Sequence, residues 1–464
     1  MKTTKLKQIA QWCGGTLHET DGEVEVRGVS TDSREVKPGQ MFIPLVGARV
    51  DGHTFISRAV ENGAVAVLNA NKEKKPKNVP YIEVEDTLLA FGAIAAGYRQ
   101  TMKAKVLAIT GSVGKTTTKE MLAAILNRQF RTIWTEGNHN NNLGLPMSVM
   151  DIEEDTELAV LELGMSAFGE MSYLTKIARP DMAIFTNIGT MHIEHLGSRE
   201  GILKAKMEIL EGMDKEKGVL VHNGDEPLLW NQRKELALET HYFGIDNSLC
   251  EVTGSNIRSD NSGVRFDVTA FGKTFEVFVP ANGQHTVYNA LAAITAAMLQ
   301  GATVENIQAG LATFENAGMR QKIYEKNGYT IIEDCYNAGP ESMEAAINVL
   351  ADRVVEGKGR KIAVLGDMLE LGSCAMAEHH RIGRIAQIRK IDRIFAYGVN
   401  ASRVASGAVT GGMKNKFANF YDDQDQLIHD LRFQARPGDV LLFKGSRGMK
   451  MERVLQLFWK EEDI

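Results

Sequence analysis

The residues with the clearest chemical capacity lie in one run, TGSVGKTTTK at 110–119. It follows the apolar run KVLAIT (105–110) and precedes Met121, Leu122, Ile125 and Leu126 at helical spacing, so a strand, a glycine turn and a helix are expected in that order. Such a turn offers backbone N–H groups to phosphate oxygens. Gly111, Ser112, Val113 and Gly114 would form the cradle, Lys115 would meet the β- and γ-phosphates, and Thr116, with Thr117 beside it, would offer a hydroxyl to Mg²⁺. ATP is therefore the expected ligand. The spacing departs from the commoner G-x-x-x-x-G-K-[ST], because Ile109 stands where the first glycine would be. The plain alternative is a glycine-rich turn with a solvated lysine.

A phosphate loop does not say what the phosphate is used for, since GTPases, kinases, transporters and ligases all carry one. The polar residues downstream must decide. Glu162 lies near the end of the apolar run LAVLEL (158–163), where a buried carboxylate is costly unless it meets a charge. Its position near the end of the next strand suits a Mg²⁺ ligand, against a solvated edge-strand glutamate. TNIGTMHIEHLGS (186–198) puts Asn187 and His192 just after a further strand. In KAKMEIL (204–210), Lys204 and Lys206 read, taken alone, as solvated charges beside the apolar positions Ile202, Ala205, Ile209 and Leu210.

These residues need a framework, and the pattern supplies one. Residues 28–45 read as short strands with a turn at Pro38-Gly39, and 53–69 as a helix then a strand, which suggests a small α/β domain over 1–101. Strand runs at 105–110, 158–163, 182–186 and 218–222 alternate with helical stretches such as 199–213, the signature of a parallel sheet covered on both faces. The alternating runs RFDVTA and KTFEVFV about Phe271-Gly272 read as an antiparallel hairpin. A helix at 287–300 closes a central domain of 102–313. From 314 to 464 a second alternation begins, with strands at 329–336, 361–367, 393–398 and 439–445. A Rossmann-like sheet there would carry Asp334, Asp367 and Lys444 at its ligand-binding ends. The fold class is thus α/β, with a small N-terminal domain, a central parallel-sheet ATPase domain and a Rossmann-like C-terminal domain. No fixed-period repeat or low-complexity segment interrupts it.

Composition narrows the partners. The 464 residues suit about three domains. Lys and Arg number 53 against 59 Asp and Glu, a formal charge of −6, which lacks the basic excess of a nucleic-acid binder. Cys13, Cys250, Cys335 and Cys374 form no C-x-x-C pair, so neither a zinc ribbon nor a disulfide framework is expected. No signal peptide is visible, and the apolar stretches 88–98 and 290–299 fall short of the roughly 20 residues that span a bilayer. A cytoplasmic location without membrane insertion is expected, and a monomer.

Together these pieces resemble the Mur ligases, the ATP-dependent amino-acid-adding enzymes of peptidoglycan precursor synthesis. TGSVGKTTTK is similar to that family's short phosphate loop, GNHNNNLGLP (137–146) to its Asn/Gly/Pro loop, and Glu162, His192 and GQHTVYNALAA (283–293) match in order. STDSR (30–34), GARVDGHTFI (47–56), YNAGPESM (336–343), LGDMLELG (365–372) and KGSRGMKME (444–452) resemble the dipeptide-adding branch. The resemblance implies that ATP phosphorylates the carboxyl terminus of a UDP-N-acetylmuramoyl-tripeptide and that D-alanyl-D-alanine attacks the acyl phosphate.

The resemblance also implies residue roles. Lys115, Thr116 and Glu162 would serve the triphosphate and a first Mg²⁺. His192 and Lys206 would serve a second, Lys206 as an N-carbamate, because an ammonium cannot ligate a cation. Asn289 would contact adenine, Asp334 the ribose, and Arg320 the γ-phosphate on closure. Thr286 replaces an asparagine common in the family, and Gly339 replaces the asparagine of YNANP. Ser30, Thr31, Asp32, Ser33 and Arg34 would face the UDP-sugar, Arg34 as a pyrophosphate contact or a strand-end ion pair. Asn138, Asn337, Lys444, Ser446 and Arg447 would face substrate, the last three offering a helix N-terminus to the dipeptide carboxylate. Two rivals remain: the sister ligase that adds the third residue, whose diaminopimelate-specific members carry an Asp-Asn-Pro-Arg signature not found here, and a non-catalytic nucleotide switch.

Overall fold

The structure is a computed structural model that describes all residues except 48, 74, 317, 356 and 461–464. Ala48 of the 47–56 segment, and 317, 356 and 461–464 of the expected C-terminal domain, therefore lie outside the described residues. The chain packs into two compact units, residues 1–109, 130–183 and 207–219 in one and 110–129, 184–206 and 220–464 in the other. Among the described residues no helix is long and apolar enough to cross a membrane.

In the first unit a five-stranded sheet runs in the order Thr16–His18, Tyr81–Glu83, Ala66–Asn69, Met41–Phe42, Val29–Ser30. Only the first pairing is antiparallel. Its core is small, with Phe42, Ala59, Val67 and Tyr81 among the buried members. The strand Leu158–Glu162 pairs in parallel with Thr132–Trp134 on one side and with Lys105–Thr110 on the other, Glu162 opposite Ile109. All five residues of Leu158–Glu162 are buried, as expected of a strand covered on both faces.

In the second unit, the hairpin expected about Phe271-Gly272 forms between Gly263–Ala270 and Lys273–Val279. It is part of a larger meander, because Val252–Asp260 adds a third antiparallel strand. Asp260 makes the extra turn by accepting from Ser262 N at 2.7 Å, a polar-loop signal that the alternation further along did not reveal.

The C-terminal sheet shows most directly how sequence becomes layers. Six strands run in the order Lys322–Lys326, Tyr329–Asp334, Val440–Lys444, Lys361–Gly366, Arg393–Tyr397, Ala418–Tyr421. All pair in parallel except the first, an antiparallel edge strand. Side chains alternate between faces. Ile332, Ala363, Leu365 and Leu442 pack against the helices Pro340–Asp352, Ala375–Ile388 and Ala401–Thr410. Ile331, Val364, Leu441 and Phe443 pack on the opposite face against Gln424–Gln434 and Met451–Phe458. Continuous apolar runs are what two-sided burial requires, and they deliver Asp334, Asp367 and Lys444 to one end of the sheet.

Candidate active site

The loop after Lys105–Thr110 is held by backbone geometry that only glycine tolerates. Gly111 has φ +144° and Gly114 φ +89°; a Cβ on the first would lie 1.9 Å from Thr186 Oγ1, and on the second 2.3 Å from Asn289 Oδ1. The helix Lys115–Leu126 begins directly after Gly114, aiming its first-turn N–H groups and positive dipole end at the loop. Lys115 Nζ donates to Gly111 O at 2.9 Å, and Thr116 is buried in the first turn.

The segment after the strand Met182–Phe185 braces this loop. Asn187 Oδ1 accepts from Ser112 N at 3.1 Å and Val113 N at 2.9 Å. Thr186 Oγ1 donates to Val113 O, and Gly189 N donates to Ser112 Oγ. Asn187 was visible in the sequence only as a residue near His192, and its part in holding the loop was missed.

His192 follows in the left-handed region at φ +65°, its Nδ1 2.5 Å from Glu370 Oε2. Burial pushes its imidazole below the ordinary histidine range; Glu370 works against that, and the charges of Lys115 and Lys206 add to it. Lys206 departs from its reading as a solvated charge: it is 2% exposed, whereas Lys204 on the same helix is exposed. Burial first, then Lys115, holds the Lys206 amine well below the usual lysine range. Its burial therefore disfavours the ammonium form.

Glu162 is 1% exposed and takes a hydrogen bond from Asn140 Nδ2 at 2.7 Å on Oε1. Thr135 Oγ1 accepts from Glu162 N. Asn140, not Asn138, thus carries the contact made by the asparagine-rich loop. Asn138 is exposed, and its carbonyl accepts from Asn140 N.

The expected nucleoside and dipeptide residues gather at the sheet ends. Lys444 Nζ donates to Asp334 Oδ2 at 2.7 Å and to Asn337 O at 3.0 Å. Ser446 is buried, donating to Ala338 O and accepting from Leu369 N, so its hydroxyl joins two loops. Arg447 is exposed and pairs with Glu452. Arg320 lies over the Tyr336 ring, 3.6 Å from its centroid. His285 and Gln321 also belong here and were missed. Burial lowers the His285 imidazole, with Asp334 and Gln321 opposing and Lys444 assisting. Both lie in segments whose order, but not whose contacts, could be read. Asn289 sits in the helix Gln284–Leu299, its Oδ1 accepting from Thr118 Oγ1 at 3.4 Å, at the base of the phosphate loop.

At the N-terminal sheet, Arg34 makes the strand-end ion pair: its guanidinium holds the Asp32 carboxyl at about 2. Ser30 Oγ donates to Asp32 O, and Ser33 O accepts from Asn62 Nδ2. Thr31 is half-buried between them.

Three Mur ligase family models match in order: the family catalytic domain at 25–99, the middle domain at 109–297 and the glutamate ligase domain at 319–447. A protein of Bacillus subtilis, UDP-N-acetylmuramoyl-tripeptide--D-alanyl-D-alanine ligase, is 43% identical over 97% of each chain. Its namesake from Escherichia coli is 34% identical over 98% of each. The chain belongs to the Mur ligase family. Among solved structures of Mur ligases, a MurF from Acinetobacter baumannii matches with a TM-score of 0.88 at 33% identity, covering 99% of this chain and 100% of that one. MurF from Thermotoga maritima in complex with ADP matches at 0.80 and 30% identity, covering 93% and 97%. This Mur ligase has the three-domain α/β organisation of those enzymes.

Proposed function

We propose that the protein is an ATP-dependent ligase that joins D-alanyl-D-alanine to UDP-N-acetylmuramoyl-tripeptide, forming the pentapeptide precursor of peptidoglycan. The observation that carries this is the similarity to the dipeptide-adding ligases across essentially the whole chain. In this reading residues 1–101 hold the UDP-sugar through the 30–34 segment, 102–313 hold ATP, and 314–464 hold the dipeptide.

The chemistry follows from charge. The γ-phosphoryl group passes to the tripeptide carboxylate, ADP leaves, and the dipeptide amine attacks the acyl phosphate and releases phosphate. Two anions must be brought together, so positioning and charge neutralisation dominate. The loop N–H groups and Lys115 bind the triphosphate, with Thr117 beside them. Arg320, stacked on Tyr336, is assigned to the γ-phosphate on closure, and Asp334 and Asn289 to the nucleoside. Asn138, Asn337, Lys444, Ser446 and Arg447 are assigned to the substrate side.

The donor set fits Mg²⁺. Thr116 and Glu162 offer hard oxygens. Among the described residues no group of three or more His, Cys, Asp or Glu forms a metal cluster. When bound, Mg²⁺ would neutralise charge on the phosphoryl oxygens. For a second ion, His192 supplies an imidazole. Lys206, whose burial disfavours the ammonium form, would in its uncharged form add CO₂ to give an anionic carbamate and one proton, and so supply an oxygen ligand.

ATP and UDP-linked precursors are cytoplasmic metabolites, so the cytoplasm is the compartment this reading requires, and a monomer carries every assigned residue. The test is ADP release with ATP, Mg²⁺ and the lysine or diaminopimelate tripeptide, with and without D-alanyl-D-alanine. Release requiring both substrates, with a product heavier by the dipeptide, supports the ligase. No release with either tripeptide despite ATP binding favours another acceptor or the switch.

A further inference from the structure

Two non-glycine residues in the left-handed region meet across one hydrogen bond: His192 at φ +65° and Glu370 at φ +61°. Backbone strain of this kind persists only where the surroundings fix it, and it gathers at functional sites. The surroundings here are specific. Glu370 lies in the 365–372 segment, which none of the assigned roles uses.

That segment is anchored at each preceding residue. The Asp367 carboxylate accepts from Asn400 N at 3.1–3.2 Å, and Asp367 O accepts from Ser446 N. Met368 N donates to His379 Nε2 at 2.9 Å, and Leu369 N donates to Ser446 Oγ at 2.9 Å. His379 Nδ1 lies 2.7 Å from Ala375 O, so it carries the proton and leaves Nε2 as the acceptor. On the other side, Thr190 N and Oγ1 donate to Glu341, which fixes the backbone two residues before His192. Both partners of the His192–Glu370 bond are thus held independently of it.

A carboxylate at Nδ1 selects the tautomer with hydrogen on Nδ1 and a lone pair on Nε2. That is the arrangement by which an outer carboxylate orients a metal-binding histidine. We infer that Glu370 is a positioning residue for His192, fixing the ring orientation and the tautomer that present Nε2 to a divalent cation. This rests on the reading of His192 as a metal-binding residue.

The test is Mn²⁺ titration of the full-length protein with ADP and UDP-N-acetylmuramoyl-tripeptide present, read from the electron paramagnetic resonance of free Mn²⁺, with thermal melting of each variant alongside. In Glu370→Ala the second Mn²⁺ equivalent is expected to bind about 10- to 100-fold more weakly, with the first equivalent and the melting temperature unchanged. Glu370→Gln keeps an oxygen that accepts from Nδ1–H and recovers most of the affinity. In the His192→Ala background, Glu370→Ala has no further effect. If Glu370→Ala binds the second equivalent normally while His192→Ala loses it, the positioning role is wrong and the His192 reading stands. If His192→Ala itself keeps the second equivalent, the underlying reading fails. Additive losses in the double variant, or a loss matched by a fall in melting temperature, would also overturn the inference.

Discussion

His222 offers a sharp test of how burial sets charge in this fold. It lies fully buried in the strand Val219–Asn223, edge-on to Phe185 and Tyr242, and among the described residues neither ring nitrogen has a hydrogen-bond partner. Burial alone lowers its pKa from 6.5 to about 3. The folded chain therefore keeps the ring neutral at pH values where the unfolded chain protonates it. Stability is fully present above 6.5 and is lost as pH falls toward 3, because the unfolded state binds the extra proton. Each unit in that window costs about 1.4 kcal/mol, so at pH 5 the penalty is about 2 kcal/mol. His222→Leu removes both the titration and two unpaired nitrogens. Urea unfolding of wild type and variant at pH 7.5 and 5.0 isolates this group, since all other titrations cancel in the difference. The variant should gain about 2 kcal/mol relative to wild type on acidification. An unchanged difference between the two pH values would refute the reasoning and imply a buried partner or water at the ring.

Three further outcomes follow from the same geometry. Lys206→Ala should lose activity by about 10²–10³-fold, on the scale of removing a group that stabilises transition-state charge, and high bicarbonate should not restore it; steady-state ADP release checks this, and substantial retained activity removes the carbamate. Gly111→Ala forces a Cβ to within 1.9 Å of Thr186 Oγ1 at a positive φ, so ATP affinity measured by calorimetry should fall at least about tenfold, while an unaltered affinity would mean that the loop conformation is not required. Asp439 is fully buried and bonded to Arg360 through Nε, the guanidinium NH₂ and the backbone N; Asp439→Ala strands that charge and should destabilise the C-terminal domain by about 3–5 kcal/mol, read by urea unfolding.

The phosphate loop was legible because its chemistry is local: a strand, two glycines at forced backbone angles and a helix start lie within a dozen residues. Glu162 was legible for a related reason, since a carboxylate in an apolar run needs an explanation. Lys206 was not. Positions 204 and 206 are about 200° apart on a helix, so one faces inward and the other outward, and only tertiary packing decides which. The loop at 137–146 defeated sequence reasoning differently. It has Asn138, Asn140, Asn141 and Asn142 with no periodicity to rank them, and only the geometry singles out Asn140. The hydroxyl of Ser446, a residue expected to face substrate with Lys444 and Arg447, ties Ala338 to Leu369, a contact that the order of the residues did not reveal. The edge strand Lys322–Lys326 was invisible because four of its five residues are polar or aromatic and it needs to satisfy only one neighbour.

The seven residues Thr186–His192 are gripped from two sides, Asn187 and Gly189 by the phosphate loop and Thr190 and His192 by Glu341 and Glu370. Whatever shifts one grip is felt at the other. By thermodynamic reciprocity, a ligand that rearranges Ser112 and Val113 and one that moves Glu341 or Glu370 would change each other's affinity by the same factor. This short segment thereby offers a route for coupling between the two groups of contacts, and an affinity measured for one ligand alone need not equal its affinity when the other is bound.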